Sequence, residues 1–555
     1  MVDKLKKHIA EIPFVSKINF LEQRDFFIIG NVEIGFDELR EPLSFDVQIA
    51  PSYPFKSQGS ETIRFLNNEL LMYNHVMEDG SICIHTLHNT DIKEKLKIDF
   101  LSLKNWIIKY YINKENDINY EHIIVNIEPI ENCYYSYIFS NVDYFFKKGD
   151  FGTVNISSLN RGVYKEKLIL NYLVQKFDSY QTHKQIDIQW SNLYKSLPLD
   201  YLGAFYFTEN IPAKYGRFAF SNWLDLEPYL SKDFLEFLYH FGQKNSKEDK
   251  DRIMPLFLGY KISDTEVYWQ VTMIKVGKLP IEGIPKKVNG IKTGLWESKL
   301  IDKKIDWVLT HDASYKYFFG RGTLCEHLTN AKILIIGIGA VGSMLAKGLA
   351  KGGCQSIGII DYDVKEPENV CRSEYEFNTG IVDKVYELSQ ILMKTSPFVN
   401  VKPLDHHYFE QITKIWIKEK GAKEAFSKFL NEYDLIFDCS TDNDLMYILD
   451  ALELSCDIIN LSITNHANDL VCAFYPNIYH FVSTQFEAIL NNDVTDLYNP
   501  IGCWNPTFKA SYNDINLLVQ MALKQINIVY QQNKVKNNFI IRTNENVCNL
   551  KIEEY

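Results

Sequence analysis

The stretch that decides the fold is ILIIGIGAVGSMLAKGLAKGG, residues Ile333–Gly353. It opens with four apolar residues that predict a buried strand, and Ala340–Lys351 has the pattern of a helix. Between them, Gly337, Gly339 and Gly342 have G-x-G-x-x-G spacing. Glycines with this spacing permit a tight turn and let phosphates approach backbone N–H groups at the helix start. The stretch therefore predicts a nucleotide site, with a glycine turn that binds no ligand as the simpler reading.

Outward from this unit, strands and helices alternate toward the C-terminus, which is typical of a parallel α/β sheet. The predicted strands are Ala331–Ile336, Ser356–Ile360, Leu435–Asp438 and Asp457–Leu461, and the predicted helices are Ala340–Lys351, Val382–Lys394 and Asp514–Tyr530. Asp361 ends the second strand, where a carboxylate can bind ribose hydroxyls. Up to this point an NAD-dependent oxidoreductase fits as well as an ATP-binding enzyme.

The residues after the second strand favour ATP. The segment IIDYDVKEPENVCRSEYEF contains Asn369 and Arg372, and Lys384 follows on the next helix. Arg372 and Lys384 can neutralise charge that develops on phosphates, and Asn369 can orient them. In DLIFDCSTDND, Asp442 follows a strand end on the same sheet edge, where a carboxylate suits Mg²⁺ bridging phosphates. We expect ATP and Mg²⁺ as cofactors, with an NAD(P)-linked oxidoreductase as the alternative.

The pattern D-x-D-x5-N-x2-R, followed by a Lys and then T-D-N, resembles the ThiF/MoeB adenylating family, which includes the catalytic half of ubiquitin-activating enzymes. The resemblance covers about residues 322 to 530. It implies a Rossmann-like domain that forms an acyl-adenylate, usually as a homodimer. It also implies that Asp361 binds ribose, that Asn369, Arg372 and Lys384 bind the phosphates, and that Asp442 binds Mg²⁺. Arg321 is a weak candidate for an arginine supplied across a dimer.

The second informative region is N-terminal. Residues Phe26–Phe36, Leu43–Ala50 and Glu61–Phe65 predict strands of a meander, preceded by a short helix and followed by a helix that begins near Phe100. In the irregular segment between them, Cys83 follows Asp-Gly-Ser-Ile. A loop cysteine can carry a thioester because its thiolate is both a good nucleophile and a good leaving group. The simpler interpretation is a small buried residue between two isoleucines.

The S-Y-P-F and D-G-S-I-C-I motifs, with Trp106 downstream, resemble the ubiquitin-conjugating fold over about residues 1 to 130. The resemblance implies an α+β domain in which Cys83 is the conjugating cysteine. His75 stands where that family has an asparagine that stabilises the oxyanion. The imidazole of His75, His85 or His88 could provide the N–H group instead.

Composition limits the remaining possibilities. The chain has 555 residues and a net charge of −12, which disfavours broad nucleic-acid binding. No apolar run is long enough for a membrane span, and the N-terminus does not resemble a signal peptide. Ten cysteines without C-x-x-C spacing indicate no structural zinc and a reducing, cytoplasmic location. We predict three parts: residues 1–145, a middle region 146–320 of unknown role, and residues 321–555.

A conjugating domain ahead of an adenylating domain resembles the fused activating–conjugating proteins of bacterial antiphage operons of the CBASS type. This resemblance implies that a protein C-terminus is activated, held as a thioester and passed through Cys83 to a target amine. The modified protein would be a cGAS-like nucleotidyltransferase. For the thiol that accepts the adenylate we favour Cys503, in the turn-rich NPIGCWNPTF, over Cys371. Two alternatives stay open: a sulfur-carrier adenylyltransferase with an inert N-terminal domain, and a binding adaptor.

Overall fold

A computed structural model describes residues 1–115, 123–247, 249–288, 291–404, 421–490, 510–544 and 547–555. The chain forms two compact units. The first comprises Met1–Glu131, Phe146–Phe151 and Ala204–Leu309, and the second comprises Asn132–Phe145, Gly152–Gly203 and Thr310–Tyr555. The middle of the chain thus contributes to both units, and the three-part division of the sequence stays a prediction.

Strands are numbered in chain order over the part of the chain that the structure describes. They are β1 (Val15–Arg24), β2 (Phe27–Ile34), β3 (Leu43–Ile49), β4 (Ile63–Leu66), β5 (Cys133–Phe139), β6 (Phe151–Ser158), β7 (Gly162–Tyr164), β8 (Lys167–Ser179), β9 (Gln185–Asp187), β10 (Tyr201–Glu209), β11 (Ala213–Lys214), β12 (Phe218–Ala219), β13 (Ile253–Lys261), β14 (Val267–Lys275), β15 (Ile281–Val288), β16 (Ile291–Leu300), β17 (Asp306–Trp307), β18 (Leu309–Asp312), β19 (Lys332–Ile336), β20 (Ser356–Ile360), β21 (Val364–Lys365), β22 (Val382–Asp383), β23 (Asn400–Pro403), β24 (Leu435–Asp438), β25 (Asp457–Thr464), β26 (Asp469–Phe474), β27 (Phe539–Asn544) and β28 (Val547–Glu554).

The α-helices are numbered in the same way. They are α1 (Val2–Ala10), α2 (Ile92–Trp106), α3 (Asn192–Lys195), α4 (Lys232–Ser246), α5 (Tyr315–Phe318), α6 (Glu326–Asn330), α7 (Ala340–Lys351), α8 (Pro367–Val370), α9 (Lys384–Thr395), α10 (Ala422–Leu430), α11 (Asn443–Asp450), α12 (Ile478–Leu490) and α13 (Tyr512–Gln531). Within the described residues, none of these helices combines the length and hydropathy needed to cross a membrane.

The N-terminal part of the first unit is an antiparallel meander in the order β1-β2-β3-β4. Along β3, Phe45, Val47 and Ile49 are buried while the residues between them are not. Because burial alternates from one residue to the next, one face of the sheet packs toward α1 and α2. The apolar residues Leu5 of α1 and Phe100 of α2 are fully buried in the same core. The meander predicted from the sequence is confirmed, with β1 as an additional strand.

Helix α2 begins at Ile92, eight residues before the position near Phe100 that the sequence suggested. The Asp91 side chain accepts a hydrogen bond from the backbone N–H of Glu94 at 2.9 Å, which caps the helix. The prediction was wrong because the first two turns are rich in lysine and glutamate and show little apolar periodicity. Their Lys95 is nevertheless buried, since it pairs with carboxylates in the interior.

Three strands of the middle region lie side by side in the first unit. Strand β13 pairs with β10 in parallel and with β14 in antiparallel orientation. Helix α4 covers this sheet through buried Phe234 and Leu238. Helix α4 continues through Ser246, so its last turn consists of polar residues. Polar residues at an exposed helix end need no core contact, so composition alone did not mark the boundary.

In the second unit, an eight-stranded sheet has the order β23-β20-β19-β24-β25-β26-β27-β28. The pairings from β23 to β25 are parallel, and those from β25 to β28 are antiparallel. Helices α7, α9 and α13 bury Leu345, Leu388 and Leu518 against one face. Helices α10 and α11 bury Phe426 and Leu449 on the other face. The predicted α/β class with a mostly parallel, Rossmann-like sheet is confirmed.

Candidate functional site

A cavity of about 580 Å³ lies at the carboxyl ends of β19, β20 and β24 in the second unit. Strand β19 lies between β20 and β24, so the chain connections leave it in opposite directions at this point. Ligands of open α/β sheets bind in the crevice at such a switch point. Among the predicted site residues, the cavity is lined by Gly337, Gly339, Asp361, Lys384 and Asp442. The structure therefore brings together residues that are up to 105 positions apart in the chain.

The three glycines of the loop are required for different reasons. Gly337 has a φ of +76°, and a Cβ there would lie 2.6 Å from the Cα of Ser440. A Cβ on Gly342 would lie 2.0 Å from the carbonyl oxygen of Gly337, so this glycine lets α7 pack against the loop. A Cβ on Gly339 would meet nothing within 4 Å. Gly339 therefore leaves the backbone at the start of α7 open toward the cavity, as a bound phosphate requires.

Asp361 connects the two loops that border the cavity. Its Oδ2 accepts the backbone N–H of Ile338 at 2.8 Å, and its Oδ1 accepts the N–H of Asp363 at 2.9 Å. Burial raises the pKa of Asp361, although nearby Lys384 and these two N–H groups act in the opposite direction. A carboxylate oxygen can accept more than one hydrogen bond, so ribose hydroxyls remain compatible with this arrangement.

Lys384 supplies the positive charge of the cavity. It is the first residue of α9, its side chain is only 8% exposed, and its ammonium donates a hydrogen bond to the carboxylate of Asp363. Asp363 itself is half exposed and also lines the cavity. Lys384 is nearly buried, whereas its carboxylate partner Asp363 is exposed. The ammonium can therefore turn toward a phosphate and still be partly neutralised by Asp363.

Asp442 caps helix α11. Its Oδ1 accepts the backbone N–H groups of Asp444 at 2.9 Å and Leu445 at 3.1 Å. Because both bonds use Oδ1, Oδ2 is the oxygen that can contact a cation. Within the described ranges, no group of three or more His, Cys, Asp or Glu side chains could hold a metal. Mg²⁺ in nucleotide sites usually takes one or two carboxylates together with phosphate oxygens, so this single carboxylate fits such a shared site.

Asn369 and Arg372 are not among the described residues that line the cavity. The Oδ1 of Asn369 accepts the backbone N–H of Glu366 at 3.0 Å and so caps the short helix α8. Arg372 is half-buried just beyond this helix. Their predicted contacts with phosphate therefore stay predictions.

A buried polar chain beneath the cavity was missed by the sequence analysis. The carboxylate of Asp438, which is fully buried, accepts hydrogen bonds from the Ser440 hydroxyl at 2.6 Å and from the Asn460 amide at 2.8 Å. The hydroxyl of Ser462 donates in turn to Asn460 at 2.7 Å. Burial raises the pKa of Asp438, against the effect of these donors. The signal was an acidic residue that ends an otherwise apolar strand, and its effect is to hold the loop that carries Asp442.

The cysteines of this domain differ in their exposure to solvent. Cys439 and Cys472 are buried, and burial raises the pKa of both thiols, which suits packing rather than nucleophilic attack. Cys371 is exposed, and its thiol lies 3.2 Å from the carbonyl oxygen of Glu368. Cys503, the favoured acceptor of the adenylate, lies outside the described residues.

In the first unit, Cys83 occupies the irregular segment between β4 and α2. It is half-buried, and its backbone N–H donates to the carbonyl of His75 at 2.8 Å. The imidazole of His85 contacts its Sγ, with Nε2 at 3.6 Å. The ring of His75 lies 4.7 Å from the ring of Tyr110, measured between centroids. The geometry therefore supports His85, one of the three histidines considered from the sequence, as a partner of the thiol.

The chain leaving Cys83 is held by a buried ionic network. The ammonium of Lys95, 1% exposed, contacts Glu61 at 2.9 Å and also contacts Asp99 and the hydroxyl of Thr86. Glu61 accepts the backbone N–H of Thr86 at 3.0 Å. Burial raises the pKa of Glu61, but hydrogen bonds from Lys56 and Lys95 outweigh it and bring the pKa to about 2. The network fixes the backbone three residues after Cys83.

Comparison with known proteins supports the resemblance to the ThiF/MoeB family that the sequence indicated for residues of the second unit. Residues 312–462 match the ThiF family. The "ATP-dependent ubiquitin transferase-like protein Cap2" of Enterobacter hormaechei subsp. hoffmannii is 27% identical over 240 residues, covering 41% of this chain and 38% of Cap2. The "Adenylyltransferase and sulfurtransferase UBA4" of Candida glabrata is 27% identical over 155 residues, covering 27% of this chain and 33% of UBA4. The matched segments thus span about a third of the length of these curated relatives.

Among solved structures, the crystal structure of E. coli MccB with ATP is similar at 15% identity and a TM-score of 0.29. The alignment covers 41% of this chain and 65% of that chain. The residues that match the ThiF family, 312–462, include β19, β20, β23 and β24 of the α/β sheet described above.

Proposed function

We propose that this protein uses ATP to activate the C-terminus of a protein substrate and passes the activated acyl group through Cys83 to an amine. The observation that carries the adenylating half is the cavity in which the open backbone of Gly339 faces Asp361, Lys384 and Asp442. The match of residues 312–462 to the ThiF family and the similarity to Cap2 support the same half.

In the first step, a carboxylate oxygen of the substrate attacks the α-phosphorus of ATP. An O–P bond forms, pyrophosphate leaves, and an acyl-adenylate results. We propose that the N–H groups at the start of α7 and the ammonium of Lys384 hold the phosphates, and that Asp361 accepts ribose hydroxyls. Asn369 and Arg372 are proposed to complete the phosphate contacts. Mg²⁺, held by Asp442 and the phosphates, would stabilise negative charge on the leaving pyrophosphate.

The next steps use thiols. A cysteine thiolate attacks the carbonyl of the adenylate, a thioester forms, and AMP leaves; we propose Cys503 for this role. Exchange with the Cys83 thiolate transfers the acyl group, and an amine then attacks the Cys83 thioester. The C–N bond forms, the C–S bond breaks, and the amine proton is released. The contact between Cys83 and His85 supports a reactive role for this thiol, since an adjacent imidazole can stabilise a thiolate.

The finer parts of the proposal follow from the resemblance of the sequence to fused antiphage proteins. We propose a cytoplasmic homodimer whose substrate is a cGAS-like nucleotidyltransferase encoded beside it. The name of the UBA4 relative supports a second candidate, in which an adenylyltransferase serves a sulfur carrier and the N-terminal domain only binds. The two candidates differ in whether Cys83 carries an acyl group.

The test is intact mass spectrometry of the full-length protein incubated with ATP, Mg²⁺ and the proteins encoded beside it. The proposal predicts a reductant-sensitive adduct at Cys83 and loss of that adduct in Cys83→Ala, while exchange of pyrophosphate into ATP continues. Pyrophosphate exchange without any adduct at Cys83 would favour the sulfur-carrier alternative. Absence of both exchange and adduct with every neighbouring protein would contradict the adenylating function.

A further inference from the structure

Arg217 belongs to the middle region, for which the sequence indicated no role, and lies in the first unit together with Cys83. It follows a tight turn between β11 and β12 in which Tyr215 and Gly216 have φ values of +53° and +70°. Its side chain is buried, with 7% of the residue exposed. Burying a long charged side chain to this extent is costly unless hydrogen bonds compensate, so the partners of its Nη1 and Nη2 atoms indicate what it holds.

The guanidinium of Arg217 binds the backbone of one short loop, residues 71–76. Nη2 donates to the carbonyl of Leu71 at 3.1 Å and to that of Val76 at 2.8 Å, and Nη1 donates to the carbonyl of Tyr73. A planar guanidinium can reach several acceptors in fixed directions, which a point-like ammonium cannot reproduce. Three contacts from one side chain therefore fix the path of this loop.

The same loop holds Cys83. The carbonyl of His75 accepts the backbone N–H of Cys83 at 2.8 Å, and Val76 forms a β-bridge with Ile82. The carbonyl of Asn74 accepts the indole N–H of Trp106 at 2.9 Å. Within residues 71–76, the carbonyls of residues 71, 73, 74, 75 and 76 thus each have a named donor, and Arg217 supplies three of these hydrogen bonds.

We propose that Arg217 is a positioning residue for the Cys83 thiol, a role that rests on the proposed function of Cys83 as an acyl carrier. Arg217 acts through the backbone of this loop in the proposed scheme. It fixes the loop from which Cys83 is hydrogen-bonded, and so sets where the thioester carbonyl meets the attacking amine. Misplacing reacting atoms by about 1 Å can reduce a rate about 100-fold, so a backbone clamp at this distance from the thiol is sufficient to affect transfer.

The test compares Arg217→Lys with Arg24→Lys, a matched control at an arginine whose side chain is 68% exposed. The first measurement is the rate at which iodoacetamide alkylates Cys83 in the full-length protein, from about pH 6 to about pH 9, a range that includes the ordinary thiol pKa of about 8.5. We expect the alkylation rate of Arg217→Lys to differ from that of the wild type about threefold or more at one or more pH values in this range. We expect Arg24→Lys to match the wild type. A wild-type profile in Arg217→Lys would overturn the proposal.

The second measurement is discharge of the Cys83 thioester to free lysine. We expect Arg217→Lys to lower kcat about tenfold and to leave KM for lysine unchanged, because the loop places the thioester rather than binding the amine. If the wild type forms no thioester at Cys83, the proposed function fails, but alkylation still decides whether Arg217 places the thiol. If Arg217→Lys does not fold, Arg217→Gln, which keeps one amide donor but removes the guanidinium, is measured instead, and a wild-type alkylation profile in that variant would overturn the clamp.

Discussion

Gly342 and Gly339 stand three residues apart in the glycine-rich loop between β19 and α7, yet replacing each with alanine should have different consequences. A Cβ on Gly342 would lie 2.0 Å from the carbonyl oxygen of Gly337 and 3.4 Å from the Cβ of Cys439. The contacting atom is backbone, and it cannot retreat toward β24 because Gly337 already lies against the backbone of Ser440. A Cβ on Gly339 meets nothing within 4 Å.

The magnitudes follow from these distances. Overpacking costs typically 1–3 kcal/mol, and a clash with fixed backbone places Gly342→Ala at about 3 kcal/mol. For a unit of this size, about 2–4 °C per kcal/mol converts that cost into a fall of the unfolding midpoint of roughly 10 °C. Gly339→Ala should leave the midpoint within about 2 °C, because it creates no contact. It should instead block one charge-assisted hydrogen bond to phosphate, worth about 1.5–3 kcal/mol, so ATP should bind about 10- to 150-fold more weakly.

Both quantities can be measured without the protein substrate. Thermal unfolding gives the midpoint, and isothermal titration of the folded variants with ATP and Mg²⁺ gives the affinity. Gly322→Ala is the matched control, since its Cβ also meets nothing within 4 Å and Gly322 is not among the described residues that line the cavity. Wild-type affinity in Gly339→Ala would refute the placement of phosphates at this loop. A wild-type midpoint in Gly342→Ala would refute the close contact between α7 and the loop.

Three further predictions concern charged groups. Lys95→Met leaves Glu61 without its buried cation and should lower the free energy of unfolding by about 3–5 kcal/mol. Lys97→Met removes a half-exposed ion pair and should lower it by less than about 1 kcal/mol. Urea titration measures both values, and equal effects would contradict the argument from burial. The pKa of Glu61 falls from 4.5 to about 2 on folding. Its contribution to stability, about 1–3 kcal/mol once solvent screening is included, is therefore fully present above about pH 5 and is lost as the pH falls toward 2. Glu61→Gln should flatten that acid dependence, and an unchanged slope would argue against the shift. Lys384→Ala should weaken ATP binding about tenfold with little change in the unfolding midpoint, and unchanged titration isotherms would remove Lys384 from the site.

Much of the fold could be predicted because its signals are local. The strand Ser356–Ile360 and the helix Ala340–Lys351 have the bounds that apolar runs and helical periodicity suggested. Strand β1 escaped notice because most of its residues are exposed, so it lacks an apolar alternation. The start of α2 was misplaced for a related reason: its first turns pair charges in the interior, and a charged residue in a sequence does not reveal a buried partner.

The sequence alone determined where a glycine-rich loop opens a helix and which cysteine follows the meander, since glycine spacing and short motifs act over a few residues. Only the tertiary structure decided which distant groups meet. It placed Asp438 and Asn460 from neighbouring strands in one buried chain, and it brought Arg217 to the loop that holds Cys83. The physical reason is that burial and hydrogen-bond partners depend on contacts between residues far apart in the chain. A guanidinium 141 residues from its acceptor leaves no periodic trace in the sequence.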